Sequence, residues 1–152
     1  MATKDPVRVL IVAHQTATSP ELRKAVRARA QRKDSVEFTL VVPSAAPGLH
    51  RVVDPQDHGA DAAHDVVEAA IPVLEKAAGQ PVKALIGDSN PLDAVQDAVN
   101  VHGFDEIIIS TLPHTVSRWL RLDLPHKLEG LGLPVTTVTA SGDKQTDAAV
   151  SV

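Results

Sequence analysis

The chain contains no cysteine, and aromatic residues make up only 2% of its 152 positions. Without cysteine there are no disulfides, thiolate metal sites or thiol nucleophiles, and the composition suits a reducing, cytoplasmic setting. Scarce aromatics remove the stacking platforms used to bind single strands, and a formal charge of −4 opposes a phosphate backbone. Nucleic acid is therefore not an expected partner. No apolar run approaches the roughly 20 residues of a membrane-spanning helix. The stretch Val7–Ala13 is too short for a signal-peptide core and alternates like a strand. A membrane is not an expected partner either.

What the chain does have is aliphatic: 21 Ala, 21 Val, 14 Leu and 6 Ile. Such small residues fill a core only through many close contacts between sheet and helix, because large aromatic plugs are missing. The length suits one domain that buries roughly 70% of its unfolded surface. We place that domain at residues 1–140, followed by a small, polar tail, Ser141–Val152, expected to be disordered. Charge is unevenly distributed. Arg23, Lys24, Arg27, Arg29, Arg32 and Lys33 cluster against a single acid, whereas Val52–Glu106 holds eleven acids and two lysines. The basic run reads either as a solvated helix face or as a surface that attracts an anionic partner.

Strands and helices alternate in the pattern. VRVLIVA (7–13), VEFTLVV (36–42), PVKALIG (81–87), FDEIIIS (104–110) and PVTTVTA (134–140) read as nearly continuous apolar strands. Ser19-Pro20-Glu21 and Asn90-Pro91 have helix-start chemistry, a capping side chain followed by proline where no N–H is required. The first helix is expected to reach about Lys33, with Leu22, Val26 and Ala30 inward. The second is expected over Asp61–Ala78, kinked or split at Pro72 and stopped by Gly79. A third runs from Pro91 to Gly103, and a short one occupies Asp123–Gly130. Alternation of this kind predicts an α/β three-layer sandwich, a parallel sheet covered by helices on both faces. Ligands of such folds bind beyond the carboxyl ends of the strands. The loops to watch are His14–Ser19, Pro43–Ala60, Gly87–Asn90 and Ser110–Asp123.

At this level the chain resembles the universal stress protein (UspA-like) family. The resemblance rests on VRVLIVA leading into HQTATSPEL, on IGDSNPLDAVQDAVNVHGFDEIIIST and on LGLPVTTV. Gly87, Pro91, Ala94, Val95, Ala98, Asp105, Ile107, Ile108 and Ser110 fit the family's later strand–helix–strand pattern. It implies a single-domain Rossmann-like (adenine nucleotide alpha hydrolase-like) fold with a five-stranded parallel sheet of order 3-2-1-4-5. It also implies a regulatory or stress-associated role and often a homodimer. The last strand, Val135–Ala140, is expected at a sheet edge that must be paired or protected, and two copies are expected to pair there. In one branch the resemblance also implies adenine nucleotide binding. That branch carries three glycines after the fourth strand, where this chain has Ser110, Pro113 and Asp123. Glycine lets backbone N–H groups approach a phosphate, and proline removes a donor. Asp123 is expected to cap the helix that follows, setting a carboxylate where a phosphate would dock. His14 stands where the family has an aspartate at the end of the first strand. The chain thus reads as a divergent member lacking the glycine-rich motif, and more as a non-catalytic protein than as an enzyme.

Two segments carry candidate chemistry. Ser110–Pro125 holds the sole tryptophan, two arginines and several hydroxyls. In one reading Ser110, Thr111 and Ser117 donate hydroxyl bonds and Arg118 clamps a nucleotide phosphate or another small anion, with His14 facing the same crevice. In the other, Trp119, Leu120 and Leu124 plug the helix onto the sheet and Arg118 pairs with Asp123. Ser110 with His114 lacks a third member of a hydrolytic triad. The second segment, His50, Asp54, Asp57, His58, Asp61, His64 and Asp65, offers divalent-metal ligands, although its spacing matches no closed site.

Overall fold

The computed structural model describes residues 6–32, 35–43, 58–87, 90–113 and 123–140. Along them run β1 (Val7–Val12), α1 (Pro20–Ala30), β2 (Val36–Pro43), α2 (His58–Ala78), β3 (Val82–Gly87), α3 (Pro91–His102), β4 (Glu106–Thr111), α4 (Leu124–Glu129) and β5 (Val135–Thr139). The strands form one parallel sheet ordered β3-β2-β1-β4-β5, as the resemblance implied.

Position explains the apolar stretch Val9–Val12 of β1: the strand is central and covered on both faces. Val9 and Ile11 pack with Leu22 and Val26 of α1 and Ala70 and Leu74 of α2. Leu10 and Val12 turn the other way, onto Ala94, Val95 and Ala98 of α3 and Leu124 and Leu128 of α4. All four strand residues are fully buried, each worth roughly 1.5–3 kcal/mol of hydrophobic stabilisation. The helix starts form as their sequences direct. Ser19 accepts a bond from Leu22 N at 3.1 Å, and Asn90 accepts from Leu92 N at 2.9 Å and Asp93 N at 3.2 Å. Gly103 ends α3 at φ 77°, a conformation that disfavours a side chain.

Three expectations are corrected. Helix α2 begins at His58 rather than Asp61, so residues 58–60 are helical and not loop. It is also not split at Pro72 but runs on through it. The proline removes one donor, but Pro72 and Glu68, whose carbonyl loses its partner, both lie on the exposed side. Finally, Arg29 does not belong to the solvated basic face. It is 6% exposed, and its guanidinium grips Glu106 of β4 through two bonds of 2.9 and 2.8 Å. The tail after residue 140 and most of the loop after β2 lie outside the described residues.

Candidate functional site

The strand order reverses between β1 and β4, so the loops leaving these two strands meet at one end of the sheet. Val12 lies beside Ile109, which brings the residues after each strand together. Ala17 N donates to His14 O at 3.1 Å and Ser19 N to Thr16 O at 3.0 Å, folding the loop after β1 back over β4. The result is a buried hydroxyl pair: Thr16 Oγ1 and Ser110 Oγ lie 2.6 Å apart. Ser110 Oγ also donates to Thr16 O at 3.4 Å. Beside it, Thr111 Oγ1 donates to Leu112 O at 3.0 Å. Both candidate hydroxyls of β4 therefore have protein partners.

His14 differs. It is half-buried, and its Nε2 is buried with no hydrogen-bond partner among the described residues. Burial pushes its pKa below the ordinary 6.5, which favours the neutral imidazole at physiological pH. A neutral ring offers one donor and one acceptor and no charge.

Of the sequence candidates, the structure brings Ser110, Thr111 and His14 to the same end of the sheet. Ser117 and Arg118 lie outside the described residues, as do His114, Trp119 and Leu120. Leu124 is buried among the residues of α3 and α4, as the plug reading expected. Thr16 was missed. Its signal was a hydroxyl four residues beyond β1 that could meet the hydroxyl ending β4, but only the parallel register puts the two opposite each other. The expected cap is corrected: Asp123 has φ 61°, the left-handed region, and makes no cap hydrogen bond. A capping side chain reaches back to the helix N–H groups from extended backbone; Asp123 meets the His126 ring instead, at 3.2 Å.

In the metal candidate, His64 and Asp65 are exposed. His50, Asp54 and Asp57 lie outside the described residues, as do the side chains of His58 and Asp61. Among the described residues no group of three metal-ligating side chains occurs. No helix among them is long and apolar enough to cross a membrane. A cleft of about 770 Å³ opens at the opposite end of the sheet, lined in part by Arg8, Glu37 and Asp105. Its Arg8 is structurally engaged, closing α3 through the His102 and Gly103 carbonyls and approaching Glu37 at 3.8 Å.

Among the described residues, strand β5 ends the sheet with an unpaired edge. Ile107 N donates to Pro134 O and Ala140 N to Thr111 O, so even-numbered positions direct their backbone groups at β4. The N–H and C=O groups of Val135, Thr137 and Thr139 therefore point away from the sheet. Thr136, Thr137 and Thr139 are exposed.

Solved structures share this architecture. A universal stress protein from Archaeoglobus fulgidus matches with a TM-score of 0.62 and 15% identity, over 87% of this chain and 93% of the other. A universal stress protein from the same organism in complex with dAMP gives 0.58 and 16%, over 88% and 98%. Universal stress protein UspA from Lactobacillus plantarum gives 0.56 and 17%, over 91% and 100%. Comparison with family models and with curated protein sequences yields no match. The chain has the universal-stress-protein fold.

Proposed function

We propose that this chain is a divergent universal stress protein: a cytoplasmic, non-catalytic regulatory or stress-associated protein that acts as a homodimer. The observation that carries the reading is the open edge of β5. Outward N–H and C=O groups at Val135, Thr137 and Thr139 form a template for a second strand. Two copies pairing antiparallel about a two-fold axis satisfy both edges with one self-complementary surface. The engaged hydroxyls of Ser110 and Thr111 agree with a role that does not depend on catalysis at the switch point. Light scattering of the full chain tests the dimer. Wild type is expected at twice the monomer mass, and Thr137→Pro, which removes an outward N–H, at the monomer mass. A wild-type monomer at micromolar concentration rejects the reading.

A second reading is a nucleotide or small-anion binder using His14 and the Ser110–Asp123 loop with Thr111, Ser117 and Arg118. The unpartnered His14 Nε2 favours it, and a universal stress protein of the same fold has been solved with dAMP. Thermal shifts with dAMP, AMP, ATP and phosphate decide it. A rise in Tm that Arg118→Ala abolishes supports the site, and no shift at millimolar ligand rejects it.

A further inference from the structure

Helix α1 and the turn that follows it present a cationic face. Arg23, Lys24, Arg27 and Arg32 are exposed, with Ala28 and Gln31 between them. None of the four makes a side-chain hydrogen bond or ion pair among the described residues. Helix electrostatics do not account for the arrangement. Arg27 complements the negative C-terminal end, but Arg23 and Lys24 stand near the positive N-terminal end. Arg23 and Lys24 are also like-charge neighbours of Arg27 at helical spacings, which works against the helix. Arg29, the one cation of this helix with a side-chain partner among the described residues, is turned inward onto Glu106.

Position gives the face its meaning. The Arg29–Glu106 pair holds α1 over β4, and α1 also lies against β5. Helix α2 covers the outer part of the same face, against β2 and β3, with Asp65 and Glu68 exposed. Antiparallel pairing of two β5 edges sets the two-fold axis perpendicular to the sheet, so both α1 helices share one side. The two β4 strands beneath them are then about 14 Å apart, three strand spacings. Across that side of the dimer the charges run acidic, basic, basic, acidic.

We propose that this paired basic strip is a docking surface for a short acidic segment of a partner protein. The inference rests on the homodimer reading. A few carboxylates on a short segment fit between the acidic flanks. A nucleic-acid duplex or an anionic membrane extends beyond the strip onto Asp65 and Glu68 and is repelled there. The strip also lacks the exposed apolar anchors that hold a helix in a lipid surface.

Fluorescence anisotropy with a labelled hexaglutamate peptide tests this on the full chain. The peptide is expected to bind wild type and to lose at least about tenfold in affinity between about 50 and 300 mM salt. The triple change Arg23→Gln, Lys24→Gln, Arg27→Gln is expected to weaken binding by about tenfold with the dimer mass unchanged. Lys83→Gln, on the far edge strand, leaves binding as in wild type. Thr137→Pro weakens it by separating the two strips. A dimer that ignores the peptide, or whose triple variant binds it equally well, overturns the docking face and leaves the dimer reading intact. A wild-type monomer overturns the dimer reading, and the paired strip with it. Tighter binding of a 20-base-pair duplex or of phosphatidylserine vesicles than of the peptide overturns the choice of an acidic protein.

Discussion

Thr16 Oγ1 and Ser110 Oγ sit 2.6 Å apart in the interior, fastening the loop after β1 to the last turn of the sheet at β4. The two hydroxyls are partners, and Ser110 Oγ has the Thr16 carbonyl besides. An unpartnered buried hydroxyl costs about 1–3 kcal/mol, and that cost falls on Thr16 when Ser110 is removed. Thr16→Val and Ser110→Ala are each expected to lower stability by about 1–2 kcal/mol in urea unfolding. The double variant should lose less than the sum, with a coupling of about 1 kcal/mol, because neither hydroxyl is left alone. Strict additivity would show that the pair contributes nothing as a pair.

Gly87 closes β3 where α3 comes down on the sheet. A Cβ at this position would lie 2.6 Å from Ala94 Cβ and 3.2 Å from Val41 Cγ2. Neither neighbour has a flexible end that can swing aside. Gly87→Ala is therefore expected to destabilise by about 1–3 kcal/mol through overpacking. Adding Ala94→Gly should restore part of that loss, even though glycine inside a helix alone costs about 1 kcal/mol. Denaturant midpoints of the two singles and the double check this.

The same residues show which parts of the molecule sequence could reveal. Ile107, Ile108 and Ile109 announce a strand buried on both faces, and the caps at Ser19 and Asn90 announce their helices, because these signals are local. Arg29 misled as part of a charge run, although its spacing of three and seven from Val26 and Leu22 places it on their stripe. Helical phase pointed inward; the acid that makes an inward arginine tolerable, Glu106, is 77 residues away. Thr16 and Ser110 were separated in the same way, by 94 residues. Each such pair depends on the parallel register of β1 and β4, which no local pattern encodes.

For the Arg29–Glu106 pair the expected outcome depends on whether one partner or both are changed. Glu106→Gln leaves a guanidinium that is 6% exposed without its carboxylate. Removing one partner of a buried pair costs about 3–5 kcal/mol, and Arg29 keeps further contacts, so a loss of about 3 kcal/mol is expected. Replacing both, as Arg29→Met with Glu106→Leu, should recover most of it, since apolar packing often equals a buried ion pair. A double variant as unstable as Glu106→Gln would mean that the charges themselves hold α1 over β4.

His14 gives the fold a pH dependence of definite sign. Burial lowers its pKa in the folded state below the 6.5 of the exposed ring. Between the two values the unfolded chain binds more protons than the folded one, so stability rises with pH in that window. The contribution is complete above the unfolded value, declines as pH falls through about 6.5, and levels off below the folded value. His14→Gln removes this titration and leaves the other groups in place. The stability of the variant relative to wild type should therefore shift in the variant's favour as pH falls from about 7.5 to about 5. Parallel pH–stability curves for the two proteins would show that the imidazole titrates in the folded chain as it does in water.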